Sequence, residues 1–483
     1  MTATLTRKSS RRKLAESNAK RNYSTRKQVF KRTFSTNNID PYIPEWWANE
    51  TLAILEENMV AANLVHRDFE DMFFKQGDIV NTRRPSEFTA ARKTVADPIT
   101  VQNATATNVA VPLDQHCHVA FDIKDAERSM SMKTLQDEYA RPAAIALARQ
   151  VDRIVLGQYP QFLENNAGNL LAMTSSTVKD DLLNLRLKLD NNKCYEEGRN
   201  LVLSPTTEST CLKPEWFTSA DKRGNTEGLI KGNIGEKFGL NFYKDLNMSY
   251  VTTGNTVRTF QINNSGGYAA GSTSSMTVDT GTGEITVGTW VSIGGIPYRV
   301  TARTGTAPTT AITVDRALQA AVADDQAITV YTPGAVNNSG GYAAGWQKEI
   351  VVDTFSVAPR VGQFVTFGTA GTDRYTIISV TGLTGITLDR PLAASIADDA
   401  AVNIAPAGAY NLAFHKNAMT LAVRPLAPVL PGTGARSTTI SLNGLTIRVT
   451  IGYDITYQRT IWVFDFLAGI KVLDTNLGAV LLG

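Results

Sequence analysis

The spacing of apolar residues predicts three helices in the first half of the chain. Pro44 and Glu45 favour a helix start, and apolar residues follow them at helical spacing: Trp47, Ile54, Leu55, Met59 and Ala62. A longer helix is predicted over Tyr139–Tyr159, with Pro142 in its first turn and an apolar stripe of Leu147, Val151, Ile154 and Val155. The third predicted helix covers about Val178–Leu189.

Other parts of the chain show the alternation that is typical of strands. Residues 77–112 are polar and β-branched, and they carry Arg83, Arg84, Arg92 and Lys93. This pattern predicts a long two-stranded excursion with no core of its own. Further strands are predicted at His116–Ile123, Leu201–Pro205, NFYKDLN, Ser441–Thr450 and Thr460–Phe466. Helices and strands together indicate an α+β protein.

A tandem repeat lies between these α+β parts. The nine residues NNSGGYAAG occur at Asn263–Gly271 and again at Asn337–Gly345, a shift of 74 positions. Each copy is rich in Gly, Thr, Val and Ile, which predicts two all-β, β-barrel-like modules over residues 261–336 and 337–410. The repeats are expected to interrupt a domain, because closing a loop of about 150 residues costs only about 3 kcal/mol more than closing a five-residue loop.

Composition limits the class of protein. The chain has 483 residues, of which 43% are hydrophobic and 19% charged, as in globular proteins with several domains. Its three cysteines, Cys117, Cys194 and Cys211, do not suggest a disulfide framework. No apolar run is long enough to span a membrane, and the first residues lack the apolar core of a signal peptide. We expect a protein that is made and used, or assembled, in the cytosol.

Charge is distributed unevenly along the chain. Residues 1–40 carry eleven Lys and Arg residues against Glu16 and Asp40, so this arm has a net charge of +9 and the remainder has −6. Its composition predicts that the arm alone is disordered, and its charge would attract a polyanion or an acidic protein surface. Inter-subunit contact and DNA contact both remain open. The candidate contact residues are Arg7, Arg11, Arg12, Lys13, Arg21, Arg26, Lys27, Lys31, Arg32, Arg83, Arg84, Arg92 and Lys93.

Candidate catalytic chemistry is sparse. His116 and His118 would face the same side of a strand, but two ligands are too few for a zinc site. The segment Gly232–Lys237 has the wrong spacing for a phosphate-binding loop, and Phe238 stands where a hydroxyl is needed. No G-x-S-x-G elbow occurs. We therefore predict no catalytic residue, no cofactor-binding residue and no metal ligand, and a protein that is not an enzyme.

Several blocks resemble one known family. They are TVKDDLLNLRLKLDNNKCYEEGRNLVLSPTTES (Thr177–Ser209), FTSADKRG, IGEKFGLNFYKDLN, and NLAFHKNAMTLAVRPL (Asn411–Leu426) with SLNGLTIRVTIGYDITYQRTIWVFDFLAG. Together they resemble major capsid (coat) proteins of tailed bacteriophages. Within these, the chain is most similar to the branch of the phage P-twenty-two coat protein, which has the Hong Kong ninety-seven capsid fold.

The resemblance implies a domain organisation. It implies the basic N-terminal arm over residues 1–40, a helix region over 41–76, an extended β loop over 77–112 and a peripheral domain with a long spine helix over 113–169. An axial domain with returning strands would comprise 170–260 and 411–483, with the tandem repeats inserted. The peripheral domain would also take strands from the C-terminal part.

The resemblance also implies a function. It implies a subunit that self-assembles as pentamers and hexamers into an icosahedral head shell around double-stranded DNA. The implied partners are further copies of the chain, portal and scaffolding or decoration proteins, and packaged DNA through non-specific contacts, with no membrane. The implied location is the virion, after assembly in the host bacterial cytoplasm. Two alternatives remain open, a β-rich surface adhesin or tail-fibre component that binds carbohydrate through the twin repeats, and a nucleic-acid-binding enzyme.

Overall fold

A computed structural model describes most of the chain after residue 58. The described residues are 59–67, 79–84, 90, 92–93, 101, 107–125, 139, 141–219, 232, 234–248, 250–251, 256–272, 275–331, 333–353, 355, 358–369, 371, 373–424, 426–430, 432, 434–442 and 445–483. The arm over residues 1–40 lies outside them, as does the predicted helix start at Pro44.

The described part is mostly β, with few helices. Its strands are β1 (Ile79–Arg84), β2 (Thr107–Pro112), β3 (Gln115–Lys124), β4 (Asn166–Gly168), β5 (Arg199–Leu203), β6 (Glu236–Lys237), β7 (Leu240–Lys244), β8 (Tyr250–Val251), β9 (Thr256–Ile262), β10 (Met276–Asp279), β11 (Trp290–Ile293), β12 (Ile296–Thr304), β13 (Ala311–Val314), β14 (Ala327–Tyr331), β15 (Gly334–Ala335), β16 (Ile350–Val351), β17 (Phe364–Phe367), β18 (Tyr375–Thr381), β19 (Gly385–Leu388), β20 (Ala401–Ile404), β21 (Gly408–His415), β22 (Met419–Arg424), β23 (Arg436–Leu442), β24 (Leu445–Asp454), β25 (Arg459–Val472) and β26 (Gly478–Leu482). Its α-helices are α1 (Arg141–Leu156), α2 (Val178–Asn191), α3 (Pro205–Leu212) and α4 (Glu215–Thr218), and its 3-10 helices are Ala61–Asn63, Tyr159–Phe162, Lys416–Ala418 and Thr475–Leu477.

The first two strands form a ladder of their own. β1 and β2 pair antiparallel from Ile79 opposite Pro112 to Arg84 opposite Thr107, and neither pairs with another described strand. The base of this ladder is anchored, because Val111 is buried and packs with Ala422. The excursion therefore meets the rest of the subunit at Val111, and this contact leaves open the prediction that it has no core of its own.

A five-stranded antiparallel sheet packs against α1. β25 is its central strand, pairing with β3 along one edge and with β24 and β22 along the other, while β23 pairs with β24. The apolar stripe of α1, including Leu147, Val151 and Ile154, packs in one core with Phe464 and Phe466 of β25. The prediction of a single strand over Ser441–Thr450 is wrong, because that segment contains the end of β23 and most of β24, which pair with each other.

A seven-stranded sheet carries α2 on its surface. Its order is β4-β26-β21-β5-β7-β6, with β8 paired to one end of β21. Helix α2 begins at Val178, as predicted, and buries Val178, Leu182, Leu185 and Leu189 against this sheet. β4 lies within the predicted peripheral range 113–169, yet it pairs parallel with β26 and belongs to this sheet.

The tandem repeats form two small antiparallel barrels. The first is closed, in the order β10-β13-β12-β11-β14-β9, and the equivalent strands of the second follow the same order, β16-β19-β18-β17-β20-β15. In the second barrel the closing contact is a single bridge between Val336 and Val352. The barrel strands run over Thr256–Tyr331 and Gly334–Ile404, so each barrel begins earlier than its predicted range, and β21 belongs to the seven-stranded sheet.

The repeated nonapeptide has the same structural role in both barrels. The backbone N–H of Asn264 donates to Asp324 Oδ1 at 2.8 Å, and that of Asn338 donates to Asp398 Oδ1 at 2.9 Å. Gly267 and Gly341 have φ values of +63° and +62°, which favour glycine. Each also lies so close to a backbone carbonyl, that of Val322 or Ile396, that there is no space for a Cβ atom. In both barrels the repeated nonapeptide therefore passes in close contact with the segment that contains Val322 or Ile396.

We expect Gly267→Ala to destabilise the first barrel by about 3 kcal/mol, because it adds a clash to a left-handed backbone conformation. Gly294→Ala is the matched control. Gly294 has a φ of +59° in the same barrel but open space around its Cα, so only about 1 kcal/mol should be lost. Native-state hydrogen exchange of β9–β14 measures both, and equal losses would contradict the role of close approach.

The chain enters and leaves the barrels at neighbouring strands. β8 precedes the first barrel and β21 follows the second, and these strands pair through Val251 opposite Gly408 and Tyr250 opposite Ala409. The two ends of the barrel segment therefore meet in one ladder of the seven-stranded sheet. None of the helices in the described ranges has the length and apolar character that crossing a membrane would require.

Candidate interaction surfaces

The structure places only some of the predicted contact residues. All those in the arm, from Arg7 to Arg32, lie outside the described residues. Arg83 and Arg84 occupy consecutive positions at the end of β1, opposite Asn108 and Thr107. Arg92 and Lys93 are exposed. The described residues therefore do not bring the predicted contact residues together into one site.

His116 lies beside a buried carboxylate of the five-stranded sheet. Asp465 is buried in the centre of the five-stranded sheet, where Arg448 Nε and Nη2 donate to its two carboxylate oxygens. His116 Nε2 lies 3.4 Å from Asp465 Oδ2, and the rings of His116 and His118 are 6.5 Å apart. The arrangement is a cross-strand charge cluster, and within the described ranges no group of three or more His, Cys, Asp or Glu side chains could hold a metal ion.

The cysteines are poorly placed for nucleophilic chemistry. Burial raises the pKa of Cys117 and Cys211 to about 12, and it also raises the pKa of Cys194. The thiolate is the reactive form of cysteine, and burial disfavours it at all three positions.

An ordered apolar tip projects from the five-stranded sheet. The turn between β24 and β25 exposes Tyr453, Ile455 and Tyr457, and Ile455 is 80% exposed. Asp454 Oδ1 accepts from the backbone N–H groups of Thr456 and Tyr457, which holds the turn in one shape. The hydroxyl of Tyr453 donates to Asp125 Oδ2 at 2.6 Å. An exposed apolar cluster of this kind is typical of a contact surface.

A second apolar surface lies on the outer face of α2. Leu183 and Leu187 are exposed one helical turn apart, and Trp216 of α4 is also exposed. Lys179, one turn before Leu183, places its ammonium group 3.8 Å from the centre of the Trp216 ring. Together these side chains form a stripe along the helix that was not predicted, because the sequence analysis gave only the range of this helix and not its faces.

Both barrels form hydrogen bonds with the segment that follows α1. Arg374 Nη1 of the second barrel donates to Pro160 O at 2.6 Å, and Thr376 Oγ1 donates to Gly157 O at 2.6 Å. From the first barrel, Gln319 Nε2 donates to Glu164 O at 2.9 Å. This junction was not predicted, because the repeat shows which residues are shared between the barrels but not which of them face the rest of the chain.

The two barrels meet through equivalent positions. Trp290 of β11 and Phe364 of β17 are related by the shift of 74 residues, and their rings make an edge contact with centroids 4.8 Å apart. Trp290 Nε1 donates to Thr366 Oγ1 at 3.1 Å. Phe364 also contacts Tyr159 and Tyr410, each with ring centroids 5.9 Å away. One aromatic cluster therefore joins both barrels, the end of the α1 region and the seven-stranded sheet.

No protein-family model matches this chain, and no curated protein matches it. Several solved phage structures are similar to it over most of their length. A chain of Mycobacterium phage Che8 is 13% identical, with a TM-score of 0.41 over 88% of this chain and 90% of its own. The capsid structure of the cyanophage P-SCSP1u is 11% identical, with a TM-score of 0.39 over 84% of each chain. The capsid of the Myoviridae phage XM1 is 9% identical, with a TM-score of 0.35 over 89% of this chain and 92% of its own.

Proposed function

We propose that this chain is the major capsid protein of a tailed double-stranded DNA bacteriophage. In this proposal, copies of the chain assemble as pentamers and hexamers into an icosahedral head shell that encloses the genome. The residue blocks quoted above, such as Thr177–Ser209 and Asn411–Leu426, support this assignment through their resemblance to that family. In this proposal the chain has a structural role, and its surface serves to bind other copies of the chain.

The observation that carries the proposal is the isolated ladder of β1 and β2. A two-stranded ladder is marginally stable in water unless another surface covers it. Within the described residues no third strand pairs with this ladder, and its base packs through Val111 against Ala422. A neighbouring copy that covers the ladder would supply the missing burial, which is the behaviour of a subunit that becomes fully stable only in an assembly.

The two exposed apolar surfaces support the same conclusion. The tip at Tyr453–Tyr457 and the stripe on α2 lie on different sheets of the subunit. Burying apolar area stabilises an interface by about 25 cal/mol per Å². Two separate surfaces would let each subunit bind more than one neighbour, as a closed shell requires. In this proposal the basic arm contacts neighbouring subunits or packaged DNA, and portal and scaffolding or decoration proteins are further partners.

Electron microscopy of the purified recombinant chain tests the proposal. We expect closed shells or sheets of ring-shaped capsomers, because the interfaces belong to the chain itself. Light scattering at increasing concentration provides an independent readout of assembly. A compact monomer at high concentration would contradict the proposal, and discrete trimers whose repeats bind glycans would favour the adhesin.

A further inference from the structure

Two buried aspartates meet where three parts of the subunit join. Asp152 lies on α1 and is fully buried, while Asp245 directly follows β7 of the seven-stranded sheet and is 3% exposed. The third part is the N-terminal segment 59–67, in which Met59, Ala61 and Ala62 are buried in the same core as α1. A change in the contacts at this junction would therefore affect both sheets and segment 59–67.

The hydrogen bonds leave one carboxylate oxygen without a donor. Asp152 accepts from the backbone N–H groups of Val60 and Ala62, each at 2.9 Å, one on each oxygen. Asp245 Oδ1 accepts from the backbone and side-chain N–H groups of Asn247, at 2.7 and 2.9 Å. Asp245 Oδ2 is buried, and no donor among the described residues reaches it. The Asp152 carboxyl group, however, lies within hydrogen-bonding reach of Asp245.

Two carboxylates this close and this deeply buried cannot both be ionised without strong repulsion. A single proton between them removes the repulsion and supplies the donor that Asp245 Oδ2 lacks. We propose that Asp152 keeps its proton and donates it in a hydrogen bond to Asp245 Oδ2, and that this pair is a pH-operated latch that holds segment 59–67 and α1 on the seven-stranded sheet. This latch is independent of the proposed function, because it concerns contacts within one subunit.

Other charges around the pair do not replace the proton. The other charged or titratable side chains on the elements that pack here are Arg141, Arg149 and Arg153 of α1, His66 and Arg67 of segment 59–67, and Tyr243 and Lys244 of β7. Arg153 attracts Asp245, but its buried Nε has no hydrogen-bond partner among the described residues, so it does not supply the donor that Asp245 Oδ2 lacks. Arg67 Nε donates to Ala62 O at 2.8 Å and is engaged there.

The expected pH dependence follows from proton uptake. Burial, followed by repulsion from Asp245, raises the pKa of Asp152 from 3.8 to about 7. Between these values the folded chain holds a proton that the unfolded chain releases, so stability falls as pH rises. Each pH unit in that interval should lower the ratio of folded to unfolded chain by about tenfold. Above about pH 7 the penalty is complete and the latch is loosened.

Asp245→Asn tests the proposal in the full-length chain. Its amide can donate to Asp152 at any pH, and its oxygen can still accept from Asn247. We expect this variant to match the natural chain at pH 5 and to exceed its folded-to-unfolded ratio by at least about tenfold at pH 8.5. In Asp152→Asn the side-chain NH2 replaces one of the two oxygens, so the backbone N–H of Val60 or Ala62 loses its acceptor. This variant should be less stable than the natural chain at pH 5. Asp180→Asn, an exposed change in the first turn of α2, is the control and should leave the pH dependence unaltered.

Hydrogen exchange of the natural chain provides a readout that needs no substitution. After correction for the intrinsic effect of pH, the peptide spanning residues 59–67 should lose at least about tenfold in protection between pH 5 and pH 8.5. In Asp245→Asn that loss should disappear. Equal protection of the natural chain at both pH values would overturn the proposal, as would an Asp245→Asn effect of the same size at both.

Discussion

Replacing residues 85–106 with Asn-Gly is expected to leave the subunit folded and to abolish closed particles. Arg84 and Thr107 lie directly opposite each other at the end of the β1–β2 ladder, so a two-residue turn can join them without changing the register. Asn-Gly favours the type I′ turn that suits such a connection. The base of the ladder, with Val111 buried, remains intact. The variant keeps the ladder and removes the part of the excursion beyond it, including the candidate contact residues Arg92 and Lys93.

Assembly and folding are measured separately. Electron microscopy and light scattering should show at least about a hundredfold fewer particles, the size of effect expected when roughly 3 kcal/mol of contact free energy is lost. Circular dichroism and hydrogen exchange of α1 should match those of the natural chain. The control is Gly294→Asn, which also creates an Asn-Gly turn, between β11 and β12, where residues 294 and 295 both have positive φ. Normal particles from the shortened chain would show that the excursion is not an assembly contact.

Trp290→Ala is expected to lower the stability of the subunit by about 4 kcal/mol. Trp290 is fully buried, and its ring contacts Phe364 while its indole N–H donates to Thr366 in the other barrel. Arg374 lies over the same ring, 5.6 Å from its centre. Removing a buried Trp side chain leaves a cavity that the surrounding rings cannot fill, and such truncations cost about 3–5 kcal/mol.

The same substitution at an exposed Trp is the matched control. Trp346 lies in the second barrel segment and is 48% exposed, so Trp346→Ala should lower stability by less than about 1 kcal/mol. In a chain of this size we expect the melting temperature to fall by about 4 °C for Trp290→Ala and by less than about 1 °C for Trp346→Ala. Similar shifts for both variants would mean that the barrels are not held together through Trp290.

Local patterns in the sequence predicted individual elements well. The apolar spacing of α2 placed its start at Val178, and the alternation around His116 located β3, which covers Gln115–Lys124. The repeat predicted two β modules, because a shift of 74 residues superimposes turn glycines of the two copies, Gly267 on Gly341 and Gly294 on Gly368 among them. Each of these signals lies within a short stretch of chain.

Contacts between distant segments could not be predicted in the same way. Asp152 and Asp245 are far apart in sequence, and neither stands in a motif that marks it as buried. Trp290 and Phe364 looked like ordinary apolar strand residues, because a repeat does not tell which face of each copy meets the other. The single strand expected over Ser441–Thr450 failed for a related reason, since β-branched residues continue on both sides of the turn between β23 and β24. The basic residues predicted to make contacts lie largely outside the described part of the chain.

The side-by-side position of β8 and β21 has a consequence for how such a chain can evolve. The chain leaves the seven-stranded sheet at β8 and re-enters it at β21, and these two strands pair with each other. The strand pairing of this sheet therefore does not depend on how many residues lie between β8 and β21. Unequal recombination within the duplicated DNA could therefore delete one barrel or add a third while this sheet keeps its pairing. We would then look among related genomes for zero, one or several copies of the unit, with the flanking segments little changed.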